Sequence, residues 1–320
     1  MRRLASVADV ELEMKRILSR DPSELFQAAW YLISTGGKRL RPRLLLSFNE
    51  VFGGDSERAI RAAASVELLH NFTLIHDDIM DKDETRHGVP TTHVKFGEPI
   101  AILAGDVLQS ESQHEMARAV EGLPMRRAMA ILESHAAITT DIARGQTLDM
   151  RSEVMDYREV GLRFYYGMIK LKTAVLFAHA CWTGAYLAGA SGKPASAARS
   201  FGLNLGMAFQ MADDILGLVG DPHVTGKPVG SDVRNGKKTL PILIAIKNLS
   251  GSDRGSLLEK LKARDPSAVD LIVKGGGIEQ TRSFMLKFKT QAESALRSMP
   301  NGPALEEVRA LLSSAVVREK

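Results

Sequence analysis

Two aspartate clusters, more than a hundred residues apart, are the groups in this sequence best placed to do chemistry. The first closes the stretch LLHNFTLIHDDIMD, Leu68 to Asp81. Asp77 and Asp81 are four apart, so on a helix they share a face with roughly 6 Å between them; Asp78 sits beside them. Two carboxylates at that distance repel by roughly 3 kcal/mol at an effective dielectric of about 20. Divalent cations are the usual offset, and oxygen-only ligands point to Mg²⁺ rather than Zn²⁺. The plain alternative is a solvated acidic helix end. It fits poorly, because Leu68, Leu69, Phe72, Leu74 and Ile75 make the run leading in too apolar for a surface helix. The second cluster lies in FQMADDILG, Phe209 to Gly217, where Gln210, Asp213 and Asp214 occupy adjoining faces of a helix.

Basic residues follow each acidic cluster or stand alone in short loops. GGKRLRP, Gly36 to Pro42, offers Lys38, Arg39 and Arg41 after two glycines, and Arg forks match phosphate oxygens where Lys acts as a point charge. The loop after Asp81 carries Lys82, Arg86, His87 and Pro90. Arg86 is near enough in sequence to reach a phosphate that Asp77 and Asp81 hold through metal. GQTLD places Gln146 and Asp149 on one helix face, and KLKTA offers Lys172 and Thr173 near a helix start. A Gly- and Lys-rich loop brings Lys227, Lys237 and Lys238. Taken singly, each basic cluster also reads as a solvated turn. Together, two acidic helix ends with basic neighbours suggest two walls of one cavity, with metal bridging them through a phosphorylated substrate.

The elements that must position these groups are helices. Apolar residues recur at helical spacing almost throughout, and no stretch shows convincing strand alternation. The pattern predicts helices over 7–19, from a cap at Asp21 with Pro22 first to about 35, from Pro42 to about 53, and from a cap at Asp55 to Asp81. Further helices are expected at about 99–120, 124–150, 157–169, 171–190, 194–219, 239–249, 253–263, 266–273, 278–298 and 303–318, with a loop over 220–237. Neither a linker nor a repeat is visible, so the fold class expected is all-α, one helical bundle over residues 1–320.

Composition bounds the rest. The 44% hydrophobic and 25% charged content is that of an ordinary globular protein. A formal net charge of +4 over 320 residues is too small to argue for nucleic acid. One cysteine, Cys181, excludes an intrachain disulfide or thiolate zinc site and suits a reducing, cytoplasmic setting. Neither a signal peptide nor a transmembrane segment is expected; the most apolar window, Thr173 to Ala190, reads as a buried helix.

In order along the chain, GGKRLRP, DDIMD, the Arg86 loop, GQTLD, KTA, FQ with DDILG, and GKPVGSD…GKKTLP resemble the trans-isoprenyl diphosphate synthase (polyprenyl synthase) family, with a weaker echo in AVVREK at the end. The resemblance implies an all-helical bundle around a central cavity, usually a homodimer. It implies head-to-tail condensation of an allylic diphosphate with isopentenyl diphosphate. Asp77, Asp81 and Asp213 would hold Mg²⁺, three ions in the family's usual count, with Asp78, Asp149 and Asp214 in support. Arg86, Lys172, Lys227 and Lys237 would hold the allylic diphosphate. Lys38, Arg41 and His70 would hold isopentenyl diphosphate, with His87 standing where a second Arg is common. Gln146 would lie among the substrate-binding residues. Thr173 and Gln210 would steady positive charge at the allylic carbon. Leaving of the diphosphate gives an allylic cation, which the isopentenyl double bond attacks before a proton is lost.

The family's chain-length positions are Phe72 and Thr73, five and four residues before Asp77. An aromatic only at the former goes with a twenty-carbon product, so geranylgeranyl diphosphate is expected; a farnesyl or mixed-product synthase is the alternative. The second motif ends in Gly217 where many relatives have a third Asp, which could shift work to Asp221. That departure and His87 motivate a second alternative, a non-catalytic subunit of a heteromeric synthase. The His76-Asp77 doublet motivates a third, an HD-type phosphohydrolase. A terpene cyclase would leave GGKRLRP without a use.

Overall fold

The protein is described from a computed structural model, which covers residues 4–220 and 229–316. Asp221, Lys227 and the last four residues of AVVREK lie outside the described residues. Apart from one two-residue hairpin, every regular element is a helix, so the fold is all-α. Two compact units share the chain. The first comprises residues 1–139, 178–199 and 296–311, the second 140–177, 200–295 and 312–320.

In the first unit, α1 (Val7–Leu18), α2 (Glu24–Ser34), α3 (Leu40–Val51) and α6 (Glu98–Ala119) surround α4 (Ser56–Asp81). Helix α4 is buried nearly all round: Ala59, Ala62, Ala63, Ala64, Val66, Leu68, Leu69 and Ile75 have no neighbours but protein. Its alanines let the packed helices approach closely, and its start is the expected one, with the Asp55 carboxylate accepting from Arg58 N. It ends where Lys82 turns left-handed at φ 56.

Two helix starts differ from expectation. Helix α2 begins at Glu24 behind Ser23, because the Asp21 carboxylate accepts from Ser23 N at 2.8 Å and spends itself on a turn before the helix. Helix α3 begins at Leu40, two residues before Pro42, after Arg39 turns left-handed at φ 45. Pro42 then falls in the first turn, where its missing N–H costs nothing. The loop after α4 holds an unexpected hairpin, β1 (Thr85–Arg86) with β2 (Val89–Pro90), too short to show alternation, and then the short α5 (Thr92–Phe96).

The second unit takes in the C-terminal part of α7 (Met125–Val154), then α8 (Leu162–Ile169), which runs through a π-helical turn, Lys170–Ala174, into α9 (Val175–Leu187), whose residues from Ala178 on belong to the first unit. The expected helices at 157–169 and 171–190 are therefore one continuous run, and Lys172 is not near a helix start. The wide turn sits where other backbones press in. A Cβ on Gly145 would lie 2.6 Å from Lys172 Cα, and one on Gly206 would lie 2.5 Å from Ala174 Cα, so both positions admit only glycine. Helix α10 (Gly192–Val219) carries the second acidic motif, and the expected loop contains a short α11 (Ser231–Arg234). Then follow α12 (Leu240–Asn248), α13 (Gly251–Lys262), α14 (Ala268–Lys274) and α15 (Gly277–Ala295); the 3₁₀ turn at Leu296–Ser298 and α16 (Pro303–Val316) as far as Leu311 return to the first unit. Ile215, Leu218, Val233, Ile242, Leu257 and Ile272 form the core of the second unit, so the motif-bearing end of α10 rests on packed apolar side chains. No described helix is long and apolar enough to cross a membrane.

Candidate active site

In the first unit the last turn of α4 splits its three aspartates. Asp77 and Asp81 are partly exposed, whereas Asp78 is buried. Asp78 Oδ1 accepts from Arg86 Nε at 2.7 Å and Nη2 at 2.5 Å, with Asp83 3.9 Å from the same guanidinium. Burial pushes the Asp78 carboxyl up, against the pull of Arg86, and its Oδ2 has no hydrogen-bond partner. Arg86 pairs with Asp78 and Asp83 and also feels the charge of Asp77, and it fixes the turn from which Asp77 and Asp81 project.

The GGKRLRP cluster also divides. Lys38 is exposed. Arg39 is buried, with Nη1 on Glu67 at 3.0 Å, Nε on Glu11 at 3.1 Å and Nη2 on the Ile33 carbonyl at 2.6 Å, so it ties helices together and leaves the anion-binding set. Arg41 Nη1 lies 2.9 Å from His70 Nε2. Burial and then the Arg41 charge hold His70 well below the usual imidazole range. The ring is thus neutral, Nε2 accepts from Arg41, and Nδ1–H is left as a donor. His87 turns left-handed at φ 53, with Nδ1 3.2 Å from Thr35 Oγ1, and Tyr31 donates to the Pro90 carbonyl at 2.9 Å; the hairpin is pinned to the end of α2. Burial and the charge of Arg86 lower His87 as well.

Below the acidic turn, the Phe72 ring meets His76 edge-on at 4.8 Å, and Thr73 Oγ1 donates to the His70 carbonyl at 2.7 Å. His76 Nε2 lies 3.1 Å from the Ile102 carbonyl, so this ring is packed against α6.

In the second unit a chain of hydrogen bonds runs from the π turn to the second motif. Thr173 Oγ1 donates to Gln210 Oε1 at 2.8 Å, and Gln210 Nε2 donates to Asp214 Oδ1 at 3.1 Å. Tyr165 OH and Leu240 N donate to Asp214 Oδ2 at 2.6 and 3.1 Å. Burial raises the Asp214 carboxyl to about 6 despite these bonds. Asp214 is a hub that aims Gln210 and Thr173, while Asp213, one residue earlier, is partly exposed. Lys172 Nζ is 2.5 Å from Asp149 Oδ2; although burial pushes Asp149 up, Lys172 and Lys237 together hold it below the carboxylate range. Gln146 is buried with both amide atoms unpartnered.

Three residues have structural roles that the sequence pattern does not single out. Tyr165 holds Asp214, and a Tyr-Tyr pair in a chain only 6% aromatic was the available signal. Lys238 is buried, with Nζ on the carbonyls of Ser152 and Glu153 and 4.6 Å above the Tyr157 ring, so of the lysine pair it is structural. Asp232 sits against Gly217, which no motif spacing foretells.

The sequence model described as polyprenyl synthetase matches residues 22–274. The chain is 40% identical to a geranylgeranyl diphosphate synthase of Sulfolobus acidocaldarius over 83% of this chain and 79% of that one. It is 39% identical to a geranylfarnesyl diphosphate synthase of Aeropyrum pernix over 95% and 97% of the two chains. Its structure resembles a geranylgeranyl pyrophosphate synthetase from Pyrococcus horikoshii with a TM-score of 0.91, at 36% identity, covering 98% and 96% of the two chains. The family match leaves no place for the phosphohydrolase reading of His76-Asp77. This chain belongs to the polyprenyl synthetase family and is an enzyme, a prenyltransferase with the all-α isoprenoid synthase fold.

Proposed function

We propose that the protein condenses isopentenyl diphosphate with allylic diphosphates, head to tail and with Mg²⁺, and that its main product is geranylgeranyl diphosphate. The carrying observation is the split of the first motif: Arg86 takes Asp78 inward, and Asp77 and Asp81 are presented together at the end of α4. The donor set fits a hard cation, being carboxylate oxygen alone, and the buried Asp78 Oδ2 without a partner leaves acceptor capacity next to it.

Asp77, Asp81 and Asp213 would hold Mg²⁺, three ions in all, with Asp149 beside them. When bound, Mg²⁺ offsets the charge of the departing diphosphate. Lys172, Lys237, Arg86 and Lys227 bind that diphosphate. Lys38, Arg41, the Nδ1–H of neutral His70, and His87 bind isopentenyl diphosphate. Thr173 and Gln210, aimed by Asp214 and Tyr165, present oxygen dipoles to the positive allylic carbon, and Gln146 offers its unpartnered amide to substrate. The pattern at Phe72 and Thr73 supports the twenty-carbon product over the farnesyl or mixed alternative.

Residues 1–320 work as one catalytic domain. The family resemblance supports a homodimer, and the lone buried Cys181 suits a cytoplasmic location.

The test is pyrophosphate release by the purified chain with Mg²⁺ and both substrates. Release should need both substrates and stop with excess chelator. Asp77→Ala or Asp213→Ala should lower it by about three orders of magnitude or more, as for loss of an electrostatic catalyst, with the helical circular dichroism intact. Full activity in chelator would overturn the reading.

A further inference from the structure

We infer that Asp232 supplies the carboxylate that the second acidic motif lacks at Gly217. The inference rests on the reading of Asp213 as a metal-holding residue and adds a residue to that site.

On α10, position 217 is one turn beyond Asp213, so side chains at the two positions share a face. Position 217 has no side chain. A Cβ built there would lie 2.5 Å from Asp232 Cγ and 2.6 Å from its Oδ1, and would overlap Oδ2. The carboxylate of Asp232 therefore fills the volume that a side chain at 217 would take, and glycine is what admits it.

The placement is held from several sides. Gly230 N donates to the Leu218 carbonyl at 3.1 Å, and Ser231 Oγ donates to the Gly217 carbonyl at 3.1 Å, so α11 is fastened to the turn of α10 that carries Gly217. Lys237 N donates to the Asp232 carbonyl at 2.9 Å, and Val233 is buried in the core beside Leu218. A carboxylate fixed in this way loses little side-chain freedom on meeting a cation. Its negative charge also reaches Tyr165, the residue that orients Asp214. The motif thus keeps its acidic complement by borrowing a carboxylate from fifteen residues downstream, 217 to 232.

The experiment is Mn²⁺ binding to the full-length chain with inorganic pyrophosphate, read by electron paramagnetic resonance. Asp232→Asn keeps the volume and removes the charge; it should weaken Mn²⁺ binding by about tenfold or more, as for loss of an outer ligand. The swap Gly217→Asp with Asp232→Ala moves the carboxylate onto α10 and should restore binding to within a few-fold of the parent. Gly217→Asp alone, with two carboxylates contending for one volume, should not improve on the parent. If Asp232→Asn loses its helical signal, the swap alone decides. Unchanged binding in Asp232→Asn, or a folded swap that binds no better than Asp232→Ala, would overturn the inference. Unchanged binding in Asp213→Asn would instead overturn the metal reading of the motif itself.

Discussion

Lys172 Nζ lies 2.5 Å from Asp149 Oδ2, across a π-helical turn whose backbone presses on Gly145 of the helix that carries Asp149. The ion pair and the close approach hold one another: the turn brings the ammonium to the carboxylate, and the missing Cβ lets the turn come near. Neutralising the acid should free Lys172 from a fixed position. Asp149→Asn is expected to lower kcat by about 10–100-fold, the usual cost of losing an orienting partner, while the KM for isopentenyl diphosphate stays within a few-fold. Steady-state kinetics check this.

Asp214 makes a pH prediction about stability. Its folded carboxyl titrates at about 6, above its ordinary 3.8. Between those values the folded state holds a proton that the unfolded state has released. Stability from this group is therefore present at about pH 4, falls as pH rises to about 6, and is level above, for roughly 3 kcal/mol in all. Asp214→Asn removes the titration. Urea unfolding at pH 4.5 and pH 7 should show a smaller loss across that interval in the variant than in the parent. Equal losses would contradict the placement.

The sequence made the acidic and basic clusters legible because each is local: four-residue spacing decides what shares a helix face. The same holds for Asp55 at the start of α4. What it hid depends on partners far along the chain. Lys237 and Lys238 are adjacent and alike, yet Lys238 turns to the carbonyls of α7 and the ring of Tyr157. Arg39 sits among the basic residues of GGKRLRP, but Glu67 and Glu11 draw it inward. The π turn at Lys170–Ala174 follows from backbones pressing on it at Gly145 and Gly206, and periodicity cannot register a turn widened by one residue.

Arg41 and His70 carry a prediction about substrate choice. Arg41 charges the site permanently, and neutral His70 accepts from it. Arg41→Ala should raise the KM for isopentenyl diphosphate by about 10–100-fold, the worth of one charged hydrogen bond, with a smaller change for the allylic primer. A larger rise for the primer would reverse the assignment of the two sites.

Phe72 and Thr73 predict product length. Phe72 leans on His76, and Thr73 bonds back to its own helix. Phe72→Ala should lengthen the product by one or more five-carbon units and Thr73→Phe should shorten it, as read by chromatography of the dephosphorylated products. Unmoved length in both would place the floor of the cavity elsewhere.

The most direct measurement is to incubate the purified protein with Mg²⁺, radiolabelled isopentenyl diphosphate and each short allylic primer, and to size the labelled products. The account predicts label in a twenty-carbon prenyl diphosphate as the main product, only when a primer is present. Absence of any elongated product, or pyrophosphate released without incorporation of label, would contradict it.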